Sequence, residues 1–290
     1  MVICAMRAGR VGVALFGIGT VICAALAGMF PRPASAIELL TNGNFEATPV
    51  SGNAPGWTRF EQAGSIGQFY LDVPGTTVQS ASVLDTPGNG LTPGGGNLYA
   101  VSTIANADSS EAGPGAHSLF QSFSLPGNAT SVTSVTLRYQ FFASDPFELR
   151  VLGSEFGLDY TKGTPDSITG EPINQHARID ILRGGASPLS TNASDIIRTV
   201  KAPFAQSANE GWENQQVDVT SGLQIGQNYT LRFAVVKNKQ ELLLGVDNVS
   251  LDFIGTVIIP ETNTAGLMGL PMLLACAITL IRRRAAHRTP

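Results

Sequence analysis

Few side chains in this 290-residue chain can do covalent chemistry. Between residues 37 and 256 the only histidines are His117 and His176, and cysteine is absent. Neither G-x-S-x-G nor H-E-x-x-H occurs, so triad hydrolases and zincins lack their parts. Without cysteine there can be no thiolate zinc site, iron–sulfur cluster, disulfide or thiol nucleophile. Carboxylates and aromatic rings remain. Glu148, Glu155 and Asp159 lie close enough in sequence to supply the carboxylate pair of a glycosidase or lyase, although acidic groups in so acidic a region are more simply solvated. No residue is thereby given a catalytic role. Trp57 and Trp212 each follow a glycine, and with Tyr99 and Tyr160 they are the rings best suited to lie against a sugar, although Trp57 suits the core better than a stacking platform. Asp247 alternates in step with Val249, Leu251 and Phe253, which places it on an inward strand face where a lone charge is expensive.

These groups must be positioned by strands. Val135, Leu137, Tyr139 and Phe141 alternate with Thr136, Arg138 and Gln140, and Tyr229, Leu231, Phe233 and Val235 alternate with Thr230 and Arg232. Leu119, Phe123 and Leu125, then Ala177, Ile179 and Ile181, then Val249, Leu251 and Phe253 continue the period of two. No long 3.6-residue period appears between 37 and 256, so the expected fold is all-β, a sandwich or jelly roll. Residues 85–97 read as a turn-laden Gly/Pro loop, and 143–176 as an acidic insertion on the sandwich rim. The 220 residues from 37 to 256 carry 11 basic and 21 acidic side chains, a net charge of −10 that argues against nucleic acid as a partner.

Both ends have a different composition. Arg7 and Arg10, the apolar run 11–27 and Ala34-Ser35-Ala36 have the layout of a secretory signal peptide (1–36), so the mature chain is expected to begin at Ile37 after cleavage at Ala36. Residues 257–290 hold Pro260-Glu261-Thr262, an apolar run at 265–281 and an arginine tail from Arg282. This tripartite end resembles the PEP-CTERM sorting signal of Gram-negative bacteria, though the second proline is missing. The resemblance implies that an exosortase processes the chain near Pro260 and Glu261, after an inner-membrane-anchored precursor has passed through the general secretion pathway, and that the product reaches the cell surface or the medium. A permanent C-terminal transmembrane anchor is the alternative.

The edges of the 37–256 domain carry a second resemblance. Asn42-Gly43-Asn44-Phe45-Glu46, then Gly56-Trp57, and finally Asp247-Asn248-Val249 are similar to the opening and closing motifs of galactose-binding-domain-like jelly rolls, which include many carbohydrate-binding modules; Gly96-Asn97-Leu98-Tyr99 and Gln121-Ser122-Phe123 also match. The resemblance implies a structural Ca²⁺ held by Glu46 and Asp247, with Asn44 a third oxygen donor, and hard oxygen ligands of this kind suit calcium. The expected function is that of a non-catalytic surface or matrix protein associated with exopolysaccharide or biofilm and able to bind carbohydrate. A polysaccharide-cleaving enzyme and a purely structural surface protein are the alternatives.

Overall fold

The computed structural model describes residues 36–50, 53–73, 96–102, 113–144, 151–167, 169–205, 211–238 and 242–258. Most of the signal segment, the C-terminal sorting segment with Pro260 and Glu261, most of the 85–97 loop, and Glu148 lie outside them.

The strands are β1 (Ile37–Glu38), β2 (Thr58–Glu61), β3 (Phe69–Asp72), β4 (Tyr99–Ser102), β5 (Gly115–Ser124), β6 (Ala129–Ser144), β7 (Thr164–Pro165), β8 (Pro172–Ile173), β9 (His176–Arg183), β10 (Ile196–Phe204), β11 (Glu213–Asp218), β12 (Asn228–Lys237) and β13 (Leu243–Val257). One sheet has the order β11-β6-β13-β4-β3, with β1 added along β13, and the other has the order β10-β9-β12-β5-β2. Strands within both sheets pair antiparallel. No helix among the described residues is long and apolar enough to cross a membrane.

Period-two alternation works because successive side chains of a strand point to opposite faces. Val135, Leu137, Tyr139 and Phe141 from one sheet meet Tyr229, Leu231, Phe233 and Val235 from the other in a single buried core, which Leu119, Phe123, Ala177, Ile179, Ile181 and Leu251 complete. The two sheets thus form an all-β sandwich.

Asp247 is the exception to the expected alternation. Opposite β6, Asp247 pairs with Gln140 but Ser250 pairs with Arg138, so β13 holds one extra residue in a β-bulge. Leu244 and Val246 face the core before the bulge, and Val249 and Leu251 face it after. Asp247 therefore lies on the outer face of its sheet, alongside Leu243 and Gly245, and not on the inward face with Val249. It is nonetheless fully buried.

The polar residues of β9 and β12 also depart from simple alternation. Arg178, Asp180, Thr230 and Arg232 face away from the core yet are buried, because residues 151–175 and the loop around Pro188 cover that sheet. The cover is held by Asn174, whose Nδ2 donates to the carbonyls of Gly157 and Asp159, and by Asn238, whose Nδ2 donates to the carbonyl of Tyr160.

Candidate functional site

The opening and closing motifs meet directly. Val249 N donates to Gly43 O at 2.8 Å, and a Cβ on Gly43 would lie 1.7 Å from Val249 O, so only glycine allows this approach. Asn42 (φ 52°), Phe45 (φ 57°) and Asn248 (φ 49°) are the non-glycine residues with positive φ among those described, and all three belong to the two motifs. Asparagine tolerates this region, whereas for a bulky residue such as phenylalanine it is a true outlier. Phe45 is held there by its N–H donating to Asn42 O at 3.2 Å and by a ring contact of 5.3 Å with Trp57. Backbone strain of this kind gathers where structure is held for a purpose.

Glu46 and Asp247 both belong to this junction, near enough for the Glu46 charge to act on the Asp247 carboxyl. Glu46 Oε1 accepts the backbone N–H groups of Asn97 and Leu98 at 2.6 and 2.8 Å, and a Cβ on Gly96 would fall 2.4 Å from the same oxygen. Asp247 Oδ1 accepts Asn248 N at 2.7 Å. Burial pushes the Asp247 carboxyl up to about 7; the Asn248 N–H pulls the other way, and the charge on Glu46 adds to the rise. Neither carboxylate has a Lys or Arg partner among the described residues. Asn248 Nδ2 also donates to Asp247 Oδ2 at 3.3 Å, so a hard divalent cation here would take the carboxylate lone pairs that these N–H groups leave free. No three His, Cys, Asp or Glu side chains cluster among the described residues, so the remaining ligands would be carbonyls or water. Asn44 is exposed, and its Oδ1 accepts the Glu46 N–H at 3.4 Å, so it shapes the loop that carries Glu46.

The aromatic candidates separate into three places. Trp57 is buried in the core, 6.0 Å from Phe233, and its Nε1 donates to Asn42 O; it therefore packs the opening loop and offers no stacking face. Tyr99 and Trp212 come together on the outer face of the β6/β13 sheet, 5.4 Å apart at 88°, with Phe142 4.8 Å from Trp212. Tyr99 is fully buried there, whereas Trp212 and the neighbouring Tyr70 are half-buried. The Trp212 indole N–H is buried with no acceptor among the described residues. Tyr160 lies on the opposite face of the sandwich, donating to Ala63 O at 2.9 Å and so pinning the insertion.

The two candidate carboxylates of the insertion among the described residues, Asp159 and Glu155, are occupied. Although burial pushes the Asp159 carboxyl up, hydrogen bonds from Thr161, Gln62 and Lys162 hold it far below the usual carboxylate range, which suits an anchor and not a proton donor. Glu155 Oε1 accepts the Thr164 hydroxyl at 3.0 Å. Beneath the cover, Asp180 takes Arg178 at 2.7 and 2.8 Å and Arg232 at 3.0 and 2.8 Å, a buried triad that alternation along β9 and β12 does not reveal. Burial, reinforced by the Arg178 charge, lowers His176 to about 4, and burial with the Lys237 charge lowers His117 to about 3; both are neutral at pH 7. An apolar pocket between β2 and β3, bordered by Trp57, Phe69 and Tyr70, has a volume of about 10 Å³, room for a single water at most.

No family model matches the chain, and no curated protein matches it. Among solved structures it is similar to a cyclase from Fischerella sp. TAU (13% identity, TM-score 0.41, covering 77% of this chain and 100% of that one). It is also similar to the carbohydrate-binding module TmCBM61 in complex with β-1,4-galactotriose (10%, 0.37, 74% and 97%). A third is the K1 adhesin domain of Lys-gingipain from Porphyromonas gingivalis W83 (12%, 0.38, 75% and 97%). Similarity of this extent carries neither ligand nor activity to the present chain.

Proposed function

We propose that this chain is an exported, non-catalytic β-sandwich of the galactose-binding-like jelly-roll kind that binds extracellular polysaccharide. In this reading Ca²⁺ at Glu46 and Asp247 ties the first loop to the last strand. The observation that carries it is the outer-face cluster of Tyr70, Tyr99, Phe142 and Trp212, where the half-buried Tyr70 and Trp212 rings lie beside the half-buried Asp72 carboxylate, which accepts the Tyr70 and Tyr99 hydroxyls. Sugars are bound by this combination of ring and polar group. Residues 1–36 are read as the export signal and 257–290 as an exosortase-type sorting signal, which would bring the protein to the surface or matrix of a Gram-negative bacterium, in exopolysaccharide or biofilm.

Testing the purified full chain on a glycan array separates the alternatives. Retention without turnover supports a binding module, and Trp212→Ala should then weaken retention about tenfold, the equivalent of one lost aromatic contact of roughly 1.4 kcal/mol. Release of shortened sugars would instead make it an enzyme, and neither result would leave a structural surface protein.

A further inference from the structure

The two ends of the described domain leave it side by side and in the same direction. β1 pairs antiparallel with β13, Ile37 opposite Phe253 and Glu38 opposite Asp252. Followed backwards from Ile37, the chain runs the way β13 runs forwards to Ile258. At that point Ile258 N donates to Asn128 O and Asn128 Nδ2 donates to Ile258 O, which fixes the exit against the β5–β6 turn. The same end of the sandwich holds the turn before β12, since Asn228 pairs with Ser124.

The composition of this end is unlike that of the rest. Within a domain of net charge −10, residues 124–134, 219–229 and 253–258 contain no charged side chain, and the β9–β10 turn, which meets Asn228 and Tyr229 at this same end, sets one cation, Arg183, against one carboxylate, Asp195. Gly127, Asn128, Thr130, Ser221, Gln224 and Gln227 are exposed there. Two large apolar side chains also stand out at this end, Ile258 at 58% and Ile37 at 37% exposure. The Trp212 cluster is at the other end of β13, packed on Phe142 opposite Gly245, and 13 residues of strand at about 3.3 Å each put it roughly 40 Å from Ile258.

From this geometry we propose that the end of no net charge formed by Ile37, the 125–128, 184–195 and 220–227 turns and Ile258 is the surface on which the precursor stands against an anionic phospholipid bilayer. The apolar segments 11–27 and 265–281 hold it there together, with the Trp212 face turned outward. An end whose single carboxylate, Asp195, is balanced by Arg183 approaches an anionic surface with less repulsion than the acidic domain as a whole would meet. Exposed isoleucines and polar uncharged side chains suit the headgroup boundary. Because both tethers leave from one end, the folded domain can form while both are still in the membrane. The inference rests on the reading of those two segments as membrane elements, and its test keeps the two apart.

The full chain, with Cys4, Cys23 and Cys276 replaced by alanine, is reconstituted into vesicles of phosphatidylethanolamine and phosphatidylglycerol bearing a headgroup nitroxide. A fluorophore is attached in turn at Gly127→Cys, Ser221→Cys and Lys162→Cys. A Cβ at position 127 meets nothing within 4 Å, Ser221 is exposed, and Lys162 lies beside Asn238 at the far end of β12. The expected result is severalfold stronger quenching at 127 and 221 than at 162. A chain that floats with the vesicles but is quenched equally at all three sites, or most at 162, overturns the orientation alone. A chain that does not float with vesicles overturns the membrane-segment reading and the orientation with it.

Discussion

The raised Asp247 carboxyl makes metal-free stability depend on pH in a direction opposite to that of most carboxylates. Its folded value is about 7 against 3.8 for the unfolded chain, so the native state holds a proton that the unfolded state has released. Stability from this group is complete below pH 3.8 and is lost as pH rises towards 7. At 1.36 kcal/mol per unit the whole loss is about 4 kcal/mol, of which roughly 3 falls between pH 5 and pH 8. His117 and His176 work the other way. Their folded values of about 3 and 4 lie below 6.5, so the stability they hold above pH 6.5 is lost on acidification. Wild-type melting alone would therefore mix the two effects. Comparison with Asp247→Asn removes the histidines, which are common to both proteins. In EGTA, denaturant unfolding should show the variant gaining on wild type by about 3 kcal/mol from pH 5 to pH 8. Saturating Ca²⁺ at pH 8 should restore wild type by about 2.7 kcal/mol when free metal is 100 times Kd, and leave Asp247→Asn unmoved. A wild-type-minus-variant difference that does not change with pH would refute the buried-acid reasoning, and an absent calcium shift with no bound metal by elemental analysis would refute the site.

Three other outcomes are expected. Gly43→Ala places a Cβ 1.7 Å from Val249 O and should lower stability by about 2–3 kcal/mol, read as a fall in the denaturation midpoint at unchanged m-value. Asp180→Ala strands Arg178 and Arg232 together in a buried layer and should cost about 3–5 kcal/mol; a loss within the ±0.5 kcal/mol of ordinary surface substitutions would show that the cover over β9 and β12 is open to water. Protein recovered from the envelope should begin at Ile37 on N-terminal sequencing and deletion of 257–290 should free it from membranes, whereas an intact Met1 or continued membrane partitioning would contradict the export and sorting readings.

The strand faces were legible because alternation needs only local information. Each of Val135, Leu137, Tyr139, Phe141, Tyr229, Leu231, Phe233 and Val235 lies in the core as the period of two demands. Asp247 escaped that logic because one extra residue reverses a strand's faces, and Asp-Asn-Val carries no sign that Asn248 adopts positive φ. The consequence is chemical as well as geometric. On the core face Asp247 would have lain among aliphatic side chains far from any oxygen. Turned outward by the bulge, it lies beside Glu46, a residue some 200 positions earlier whose carboxylate is already fixed by two backbone N–H groups. Arg178, Asp180 and Arg232 escaped for a different reason: alternation puts them on a solvent face, and only the folding of 151–175 over that face turns solvated charges into a buried triad. For Asp247 the missing information is a bulge, and for the triad it is a long-range contact. A local period can say which residues share a face, but what lies above that face is decided by segments far away in the chain. Residues 45 and 247 thus report on one junction: a phenylalanine at positive φ near one end of the sequence and a carboxyl pushed up to about 7 by burial near the other flank the contact of Gly43 with Val249.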